Sequence, residues 1–171
     1  FFDIYQYLSK IVEISGKKWG IMFKGVSDIT IDNKGRATMP QRYRKDFYEK
    51  RKSSLIITAD KDQCLLIYPL TIWNDVERQL LQLPSYSNEA RFLQRLVLGF
   101  ATETELDNQG RFLIPNPLRK YAKISKKIIL LGQGKKFELW SEDLWSSKFS
   151  SWLKTEGRKN IESSGIENLK I

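Results

Sequence analysis

The sequence contains an internal repeat, which constrains the fold more than any other feature of the chain. Residues 31–40 read IDNKGRATMP and residues 106–115 read LDNQGRFLIP, an offset of 75 positions. The match continues in the same register, because YRK at residues 43–45 corresponds to LRK at residues 118–120. A fixed offset of this kind is typical of repeated structural units. The chain therefore contains two copies of one module.

Each copy has the residue pattern of strands followed by a helix. An apolar-rich segment precedes Asp-Asn-x-Gly, whose glycine can take the positive φ of a tight turn, and a short strand follows, so the pattern predicts a β-hairpin. The next proline ends that strand and suits the first turn of a helix, which we expect over residues 41–48 and 116–122. Paired apolar segments then predict a second hairpin in each copy, over residues 55–58 with 64–68 and 128–131 with 137–140.

The segment between the copies is predicted to be helical. Apolar residues recur at spacings of three and four over residues 72–83, and a second apolar pattern continues over residues 92–100. The predicted organisation is an N-terminal extension, disordered or helical, over residues 1–21, a first module with its following helices over 22–99, a second module over 100–149 and a polar C-terminal tail over 150–171.

Composition favours a polyanionic partner and removes several classes of enzyme. Lys and Arg number 29 against 20 Asp and Glu, for a net charge of +9. Histidine is absent and Cys64 is the only cysteine, which excludes an internal disulfide, a cysteine-cluster zinc site and the usual base of a catalytic triad. The longest apolar runs are too short to cross a bilayer. We therefore expect a soluble, cytoplasmic protein with no cofactor and no metal ion, and at this point both nucleic acid and an acidic membrane remain possible as its polyanionic partner.

The doubled motif resembles the MraZ family, which is built from two AbrB-like (SpoVT-AbrB) swapped-hairpin modules. The resemblance covers roughly residues 22–145 and includes MFKG at 22–25, RLVLG at 95–99 and FELW at 137–140. It implies an α+β, β-rich fold in which two tandem modules form a pseudo-two-fold, double-psi-like β-barrel with peripheral helices.

The same resemblance implies a function. Members of the family are bacterial transcriptional regulators that bind direct repeats upstream of their own division and cell wall gene cluster and assemble as ring-like homo-oligomers. The expected partner is therefore double-stranded DNA and not a membrane, the expected location is the cytoplasm in association with the nucleoid, and no enzymatic activity is expected.

The basic residues near the first repeat motif suggest how DNA is contacted. A protruding hairpin with Lys34 and Arg36 can enter a groove, where arginine offers a planar fork of donors to guanine O6 and N7. Basic residues of the following helix can neutralise phosphates, and the first hairpin and helix are more basic than the second. The predicted DNA-binding residues are Lys34, Arg36, Arg42, Arg44, Lys45 and, just after the start of the family match, Lys24.

The Asp-x-x-x-Arg pairs of the two copies have a second interpretation. Asp32 is expected to accept hydrogen bonds from turn amides or from Arg36 and so to hold the turn in shape. Arg36 is then either a structural turn residue or a direct DNA contact, and the charges of the following helix are either phosphate contacts or a solvated face. The residues predicted to shape the turns are Asp32, Gly35, Asp107, Gly110 and Arg111.

Two other functions remain open at this point. Carboxylates alone can hold Mg²⁺, so a metal-dependent nuclease is one alternative, although an alternating acidic pattern equally describes the solvent face of a strand. An antitoxin-like protein-interaction module, with the tail after residue 150 as a contact segment, is the other. The acidic residues available to a nuclease are Asp28, Asp32, Glu103, Glu105 and Asp107.

Overall fold

The computed structural model describes residues 22–48, 54–84 and 86–155. The expected N-terminal extension, residues 1–21, and the tail from residue 156 onward lie outside the described residues. The chain divides into two compact units between Ser141 and Glu142. The described part of the first unit is an α+β structure rich in antiparallel strands, and that of the second is a single helix.

The first repeat forms four strands and one helix, close to the predicted positions. Asp-Asn-Lys-Gly makes the turn between the first two strands, and Pro40 directly precedes the helix, as its lack of an N–H group favours. The predicted helix over residues 41–48 and the second hairpin are confirmed. The elements are β1 (Phe23–Thr30), β2 (Arg36–Thr38), α1 (Gln41–Tyr48), β3 (Ser54–Ala59) and β4 (Leu65–Pro69).

Two helices connect the repeats, as the apolar spacing predicts. Helix α2 spans Leu70–Leu81, and α3 spans Asn88–Leu93 before it widens into a π-helical turn over Gln94–Leu98. The wide turn leaves a carbonyl that the regular ladder does not use, and the buried Thr58 hydroxyl donates to the oxygen of Val97 at 2.6 Å. The irregular turn is therefore held by the neighbouring strand β3.

The second repeat follows the order of the first. Its elements are β5 (Thr102–Glu105), β6 (Arg111–Leu113), α4 (Asn116–Tyr121), β7 (Lys127–Gly134) and β8 (Lys136–Ser141). The separate unit begins with α5 (Glu142–Thr155), in which the indole of Trp145 stacks on Phe149 at 5.2 Å between ring centroids and Phe149 remains exposed.

Strand pairing joins the two repeats. The main sheet is antiparallel in the order β1-β7-β8-β4-β3-β5, and a separate two-stranded sheet pairs β2 with β6. Thus the first strand of each repeat pairs with the third strand of the other, with Thr30 opposite Lys127 and Glu105 opposite Ser54. The predicted first hairpins are wrong in both repeats. β1 and β2 share one bridge, Ile31 with Ala37, and their ladders are formed with the other repeat. In the second repeat, β5 pairs with β3 and β6 pairs with β2.

The core lies on the strands at the centre of the sheet and on an aromatic cluster beneath α1. All residues of β4 are buried. Its hairpin partner β3 is buried as well, except at Ser54. Phe23 of β1 contacts Phe137 of β8 with ring centroids 4.0 Å apart, and Tyr43 of α1 packs edge-on against Phe137 at 4.8 Å. These rings fix α1 on strands of both repeats, which sets the direction of its remaining side chains.

Cys64 is buried, and burial raises the pKa of its thiol, as expected for an inert packed cysteine.

The closeness of β1 and β7 predicts the effect of a single methyl group. Gly132 lies opposite Gly25, and a Cβ at Gly132 would lie 2.7 Å from the backbone nitrogen of Lys24. Because backbone atoms cannot rotate away, we expect Gly132→Ala to lower the free energy of unfolding by about 1–3 kcal/mol, measured by urea denaturation. Gln133→Ala on the exposed neighbouring position is the control. Equal stability of the two variants would contradict the close inter-repeat contact.

Candidate nucleic-acid interface

The turn between β1 and β2, residues 32–35, is the first loop, and its shape is set by one carboxylate. Oδ1 of Asp32 accepts hydrogen bonds from the backbone N–H groups of Lys34 and Arg36, both at 2.9 Å. Gly35 has φ +82° and donates its N–H to the oxygen of Asp32 at 2.9 Å. Asp32 therefore acts as an Asx-type template for a turn that only glycine closes without strain.

The same carboxylate holds the guanidinium group of Arg36. Nε and Nη2 lie 2.9 and 2.8 Å from Oδ2 of Asp32, and the Arg36 side chain is 30% exposed. The backbone N–H of Arg36, followed by its side chain, lowers the pKa of Asp32 below the ordinary value of 3.8. Because the side-on donors of Arg36 face the carboxylate, the end-on pair of Nη donors points away from Asp32.

The second loop, residues 107–110, repeats this geometry. Oδ1 of Asp107 accepts from the N–H groups of Gln109 and Arg111 at 2.9 Å, and Oδ2 lies 2.7 Å from both Nε and Nη2 of Arg111. The backbone N–H of Arg111 is the largest cause of a lowered pKa of Asp107. The Arg111 side chain is 31% exposed, close to the value for Arg36. Asp32 and Asp107 therefore each accept hydrogen bonds from the backbone of their own loop, which is the contact that the predicted loop-shaping role requires.

The two-stranded sheet of β2 and β6, called the ribbon below, brings both arginines to one face. Arg36 lies opposite Leu113 and Thr38 lies opposite Arg111, so the two arginines are diagonal neighbours about 7–8 Å apart at the backbone. The middle residues of the two strands, Ala37 and Phe112, point to the inner face of the ribbon and are buried. The outer face therefore presents two oriented guanidinium groups, one from each repeat.

Each loop is also bound by the backbone of the other repeat. The oxygen of Gly35 accepts from the N–H of Ile114 at 2.9 Å, and the oxygen of Gly110 accepts from the N–H of Met39 at 2.8 Å. Met39 and Ile114 are both completely buried, so these hydrogen bonds are shielded from water. Neither loop can shift without breaking a bond to the opposite repeat.

An arginine of the opposite helix lies behind each loop glycine. A Cβ at Gly110 would lie 2.4 Å from Nε of Arg44, and a Cβ at Gly35 would lie 2.8 Å from Cζ of Arg119. Nε of Arg44 donates to the oxygen of Met39 at 2.7 Å, whereas the buried Nε of Arg119 has no hydrogen-bond partner among the described residues. Tyr48 of α1 adds a hydrogen bond to the oxygen of Asp107 at 2.6 Å. Helix α1 thus supports the second loop rather than its own.

The remaining sequence-predicted residues are spread over a wider surface. Arg42 donates to the oxygen of Val26 at 3.1 Å and to Oγ of Ser27 at 2.6 Å, so it lies beside β1. Lys34 is exposed at the tip of the first loop, and Lys45 is exposed on α1. Lys24 lies near the start of β1, about 20 Å along the strand from the first loop. The structure therefore brings Lys34 and Arg36 together and separates Lys24 from them.

Sequence reasoning underestimated two arginines of the second repeat. Arg111 was expected only to shape its turn, yet it has nearly the same exposure as Arg36 and an equivalent carboxylate partner, Asp107 in place of Asp32. Arg119 lies against the first loop, which no local pattern indicates. The 75-residue offset does contain the signal, because it maps Arg36 onto Arg111 and Arg44 onto Arg119.

The acidic residues do not gather into a candidate catalytic centre. Asp28 lies on β1 and Glu103 on β5, the two outer strands of the six-stranded sheet. Within residues 22–48, 54–84 and 86–155, no group of three or more His, Cys, Asp or Glu side chains is arranged to hold a metal ion. In that same part of the chain, every helix is too short or too polar to cross a membrane.

Comparison with known proteins places this architecture in a family. The family model described as "MraZ protein, putative antitoxin-like" matches twice, over residues 22–96 and 97–168. The chain belongs to the MraZ family. Each match to the MraZ model contains one copy of the repeated motif, residues 31–40 in the first match and residues 106–115 in the second.

Curated MraZ relatives align over most of their length. The transcriptional regulator MraZ of Thioalkalivibrio sulfidiphilus is 46% identical over 150 residues, which is 88% of this chain and all of that protein. The MraZ regulator of Methylococcus capsulatus is 44% identical over 85% of this chain and 96% of its own length. That of Legionella pneumophila is 46% identical over 79% and 90%, respectively.

The lowered pKa values of Asp32 and Asp107 predict how the loops respond to pH. Because the folded pKa lies below the ordinary 3.8, each ion pair stabilises the fold above that pH and is lost as the pH falls through the lowered value. A ¹³C NMR titration should give midpoints below 3.8 for both carboxyl groups. In Arg36→Ala the midpoint of Asp32 should rise only partly, since the backbone N–H remains. A wild-type midpoint at or above 3.8 would contradict the assigned hydrogen bonds.

The contact between Gly110 and Arg44 predicts an unequal pair of glycine substitutions. Gly110 and Gly134 have φ +75° and +70°, but a Cβ at Gly134 meets nothing nearer than the sulfur of Met22 at 3.9 Å. We expect Gly134→Ala to cost about 1–2 kcal/mol from backbone strain alone. Gly110→Ala should cost about 1–3 kcal/mol more, because Arg44 must move. Thermal denaturation measures both, and equal losses would show that Arg44 does not occupy the space behind Gly110.

Proposed function

We propose that this protein is a transcriptional regulator that reads double-stranded DNA with the outer face of the ribbon. The observation that carries the proposal is the placement of Arg36 and Arg111 on one exposed face, each oriented by its own aspartate. Two-stranded antiparallel ribbons fit the major groove of B-DNA, where base edges present a distinct pattern of donors and acceptors. The name transcriptional regulator, carried by relatives at 40–47% identity, supports the same function.

The chemistry of the ribbon suits base recognition. The end-on Nη donors of Arg36 and Arg111 match guanine O6 and N7, and the carboxylates keep the planes of the guanidinium groups fixed before DNA arrives. Leu113 lies opposite Arg36 on the same face, is 47% exposed and can contact a thymine methyl group. The ribbon therefore offers two hydrogen-bonding positions and one apolar position to the groove.

Phosphate contacts are assigned to basic side chains around the loops. We propose Lys34 at the first loop, and Arg42 and Lys45 on α1, as residues that fix the register of the protein on the duplex. Arg44 is proposed to act on DNA through the second loop, because its guanidinium lies against Gly110. Lys24 is the least suited of the predicted set, since it lies at the far end of β1.

The assembly and target are proposed from family membership. One ribbon reaches few base pairs, so repeated copies are needed for affinity and specificity, and a ring-like homo-oligomer on direct repeats supplies them. The proposed target is the promoter of the division and cell wall gene cluster, in the nucleoid of the cytoplasm. The inter-repeat pairing of β1 with β7 and of β3 with β5 supports an interpretation as two AbrB-like swapped-hairpin modules.

Arginine substitutions test the ribbon directly. We expect Arg36→Ala and Arg111→Ala each to reduce affinity for a duplex taken from upstream of the encoding gene by about 10–100-fold, because a bidentate arginine–guanine pair contributes about 1–3 kcal/mol. Fluorescence anisotropy against a scrambled duplex measures the loss of sequence preference. Arg78→Ala is the matched control, since Arg78 also pairs with an aspartate, Asp75, but lies on α2.

Three results would contradict the proposal. They are no preference of the wild type for the upstream duplex, equal losses for Arg36→Ala and Arg78→Ala, or unfolding of the Arg36 and Arg111 variants in thermal denaturation.

The same duplex incubated with Mg²⁺ or Mn²⁺ tests the nuclease alternative, since a regulator shifts the fragment without cutting it.

A further inference from the structure

The positive charge of the chain is concentrated in one stretch of the second repeat. Residues 108–137 contain eight Lys and Arg and no Asp or Glu, whereas the rest of the chain holds 21 basic and 20 acidic residues. Nearly all of the net charge of +9 therefore comes from 30 consecutive residues. Within them, four lysines are exposed on α4, on the connection to β7 and at the first position of β7. These residues, called the lysine patch below, are Lys120, Lys123, Lys126 and Lys127.

The lysine patch lies beside the first loop although it belongs to the second repeat. Arg119, immediately before the patch, lies against Gly35 of the loop. At the other end of the patch, the oxygen of Lys126 accepts from the N–H of Ile31 at 2.9 Å, and Lys127 lies opposite Thr30. Because both ends of this short segment contact the loop or its base, the intervening residues are held close to it.

One lysine of the patch has a backbone conformation that usually belongs to glycine. Lys123 has φ +52° at the position after the end of α4, where glycine or asparagine is usual. The conformation is held by a hydrogen bond from the N–H of Ile124 to the oxygen of Arg119 at 2.9 Å. The fold thus keeps an exposed lysine where a residue without a side chain would be less strained.

We infer that the lysine patch is a second DNA-contact surface, which binds the phosphate backbone next to the base pairs read by the first loop. The inference rests on the proposed function, because it assigns a further part of the same duplex to a different part of the protein. Lysine ammonium groups neutralise phosphates as point charges and carry no sequence information. Arg36 then reads bases while the patch of the opposite repeat fixes the adjoining strand.

A matched pair of double variants tests the patch. Lys126→Gln with Lys127→Gln removes two charges at the loop end of β7, and Lys135→Gln with Lys136→Gln removes two charges at the other end, about 25 Å away along the strand. We expect the first pair to make the slope of log affinity against log salt shallower by about 1.8, for specific and scrambled duplexes alike. The second pair should leave the slope unchanged. Equal slopes in both double variants, changed or unchanged, would overturn the inference.

Lys123→Gly separates DNA contact from folding. Glycine relieves the positive-φ strain and removes one charge, so we expect equal or higher thermal stability together with a slope shallower by about 0.9. Lower stability or an unchanged slope would overturn the role assigned to Lys123.

The outcome is distinguishable from failure of the proposed function. If Arg36→Ala loses sequence preference while the lysine variants keep the wild-type slope, the regulator stands and the patch is wrong. If the wild type shows no preference for the upstream duplex, the proposed function itself is wrong.

Discussion

Backbone hydrogen bonding between the two repeats is the interaction on which the rest of the structure depends. β1 pairs with β7 over eight positions, β3 with β5 over four and β2 with β6 over three, and each of these ladders joins one repeat to the other. Buried N–H and C=O groups need partners, and a single copy would leave the inner edges of its strands without them. The two copies therefore complete one sheet together.

This shared sheet explains why the loops are rigid enough to orient charged side chains. Each loop is closed by its own aspartate, but its glycine carbonyl is bound by the other repeat and its glycine Cα is packed against the other repeat's arginine. Both carboxylates are ionised at neutral pH, and the lowered pKa values of Asp32 and Asp107 follow from the hydrogen bonds that stabilise their ionised form. Arg36 and Arg111 are thus preorganised, and little side-chain entropy remains to be lost when they meet a ligand.

Local elements of this fold are predictable from the sequence, but their partners are not. The turn residues of Asp-Asn-x-Gly, the prolines before α1 and α4, and the apolar runs of β3, β4, β7 and β8 act within a few residues, and these elements lie where the patterns predict them. Which strand pairs with β2 is decided by tertiary contacts between the repeats, so the pairing of β2 with β6 instead of β1 was not predictable. Arg44 shows the same limit, because it is eight residues from Arg36 yet packs behind Gly110. The position of Lys126 and Lys127 beside the base of the first loop was not predictable for the same reason.

The two ends of the ribbon are similar but unequal. Tyr48 donates to the oxygen of Asp107, whereas the position 75 residues later is Lys123, which has no phenol to repeat that bond at the first loop. The loop tips differ as well, with Lys34 at one and Gln109 at the other. The ribbon proposed to read DNA therefore has a polarity, because exchanging its two ends presents a different order of chemical groups. In the proposed assembly, binding sites that all run in the same direction along a duplex preserve that polarity from one subunit to the next, whereas palindromic half-sites would require it to reverse.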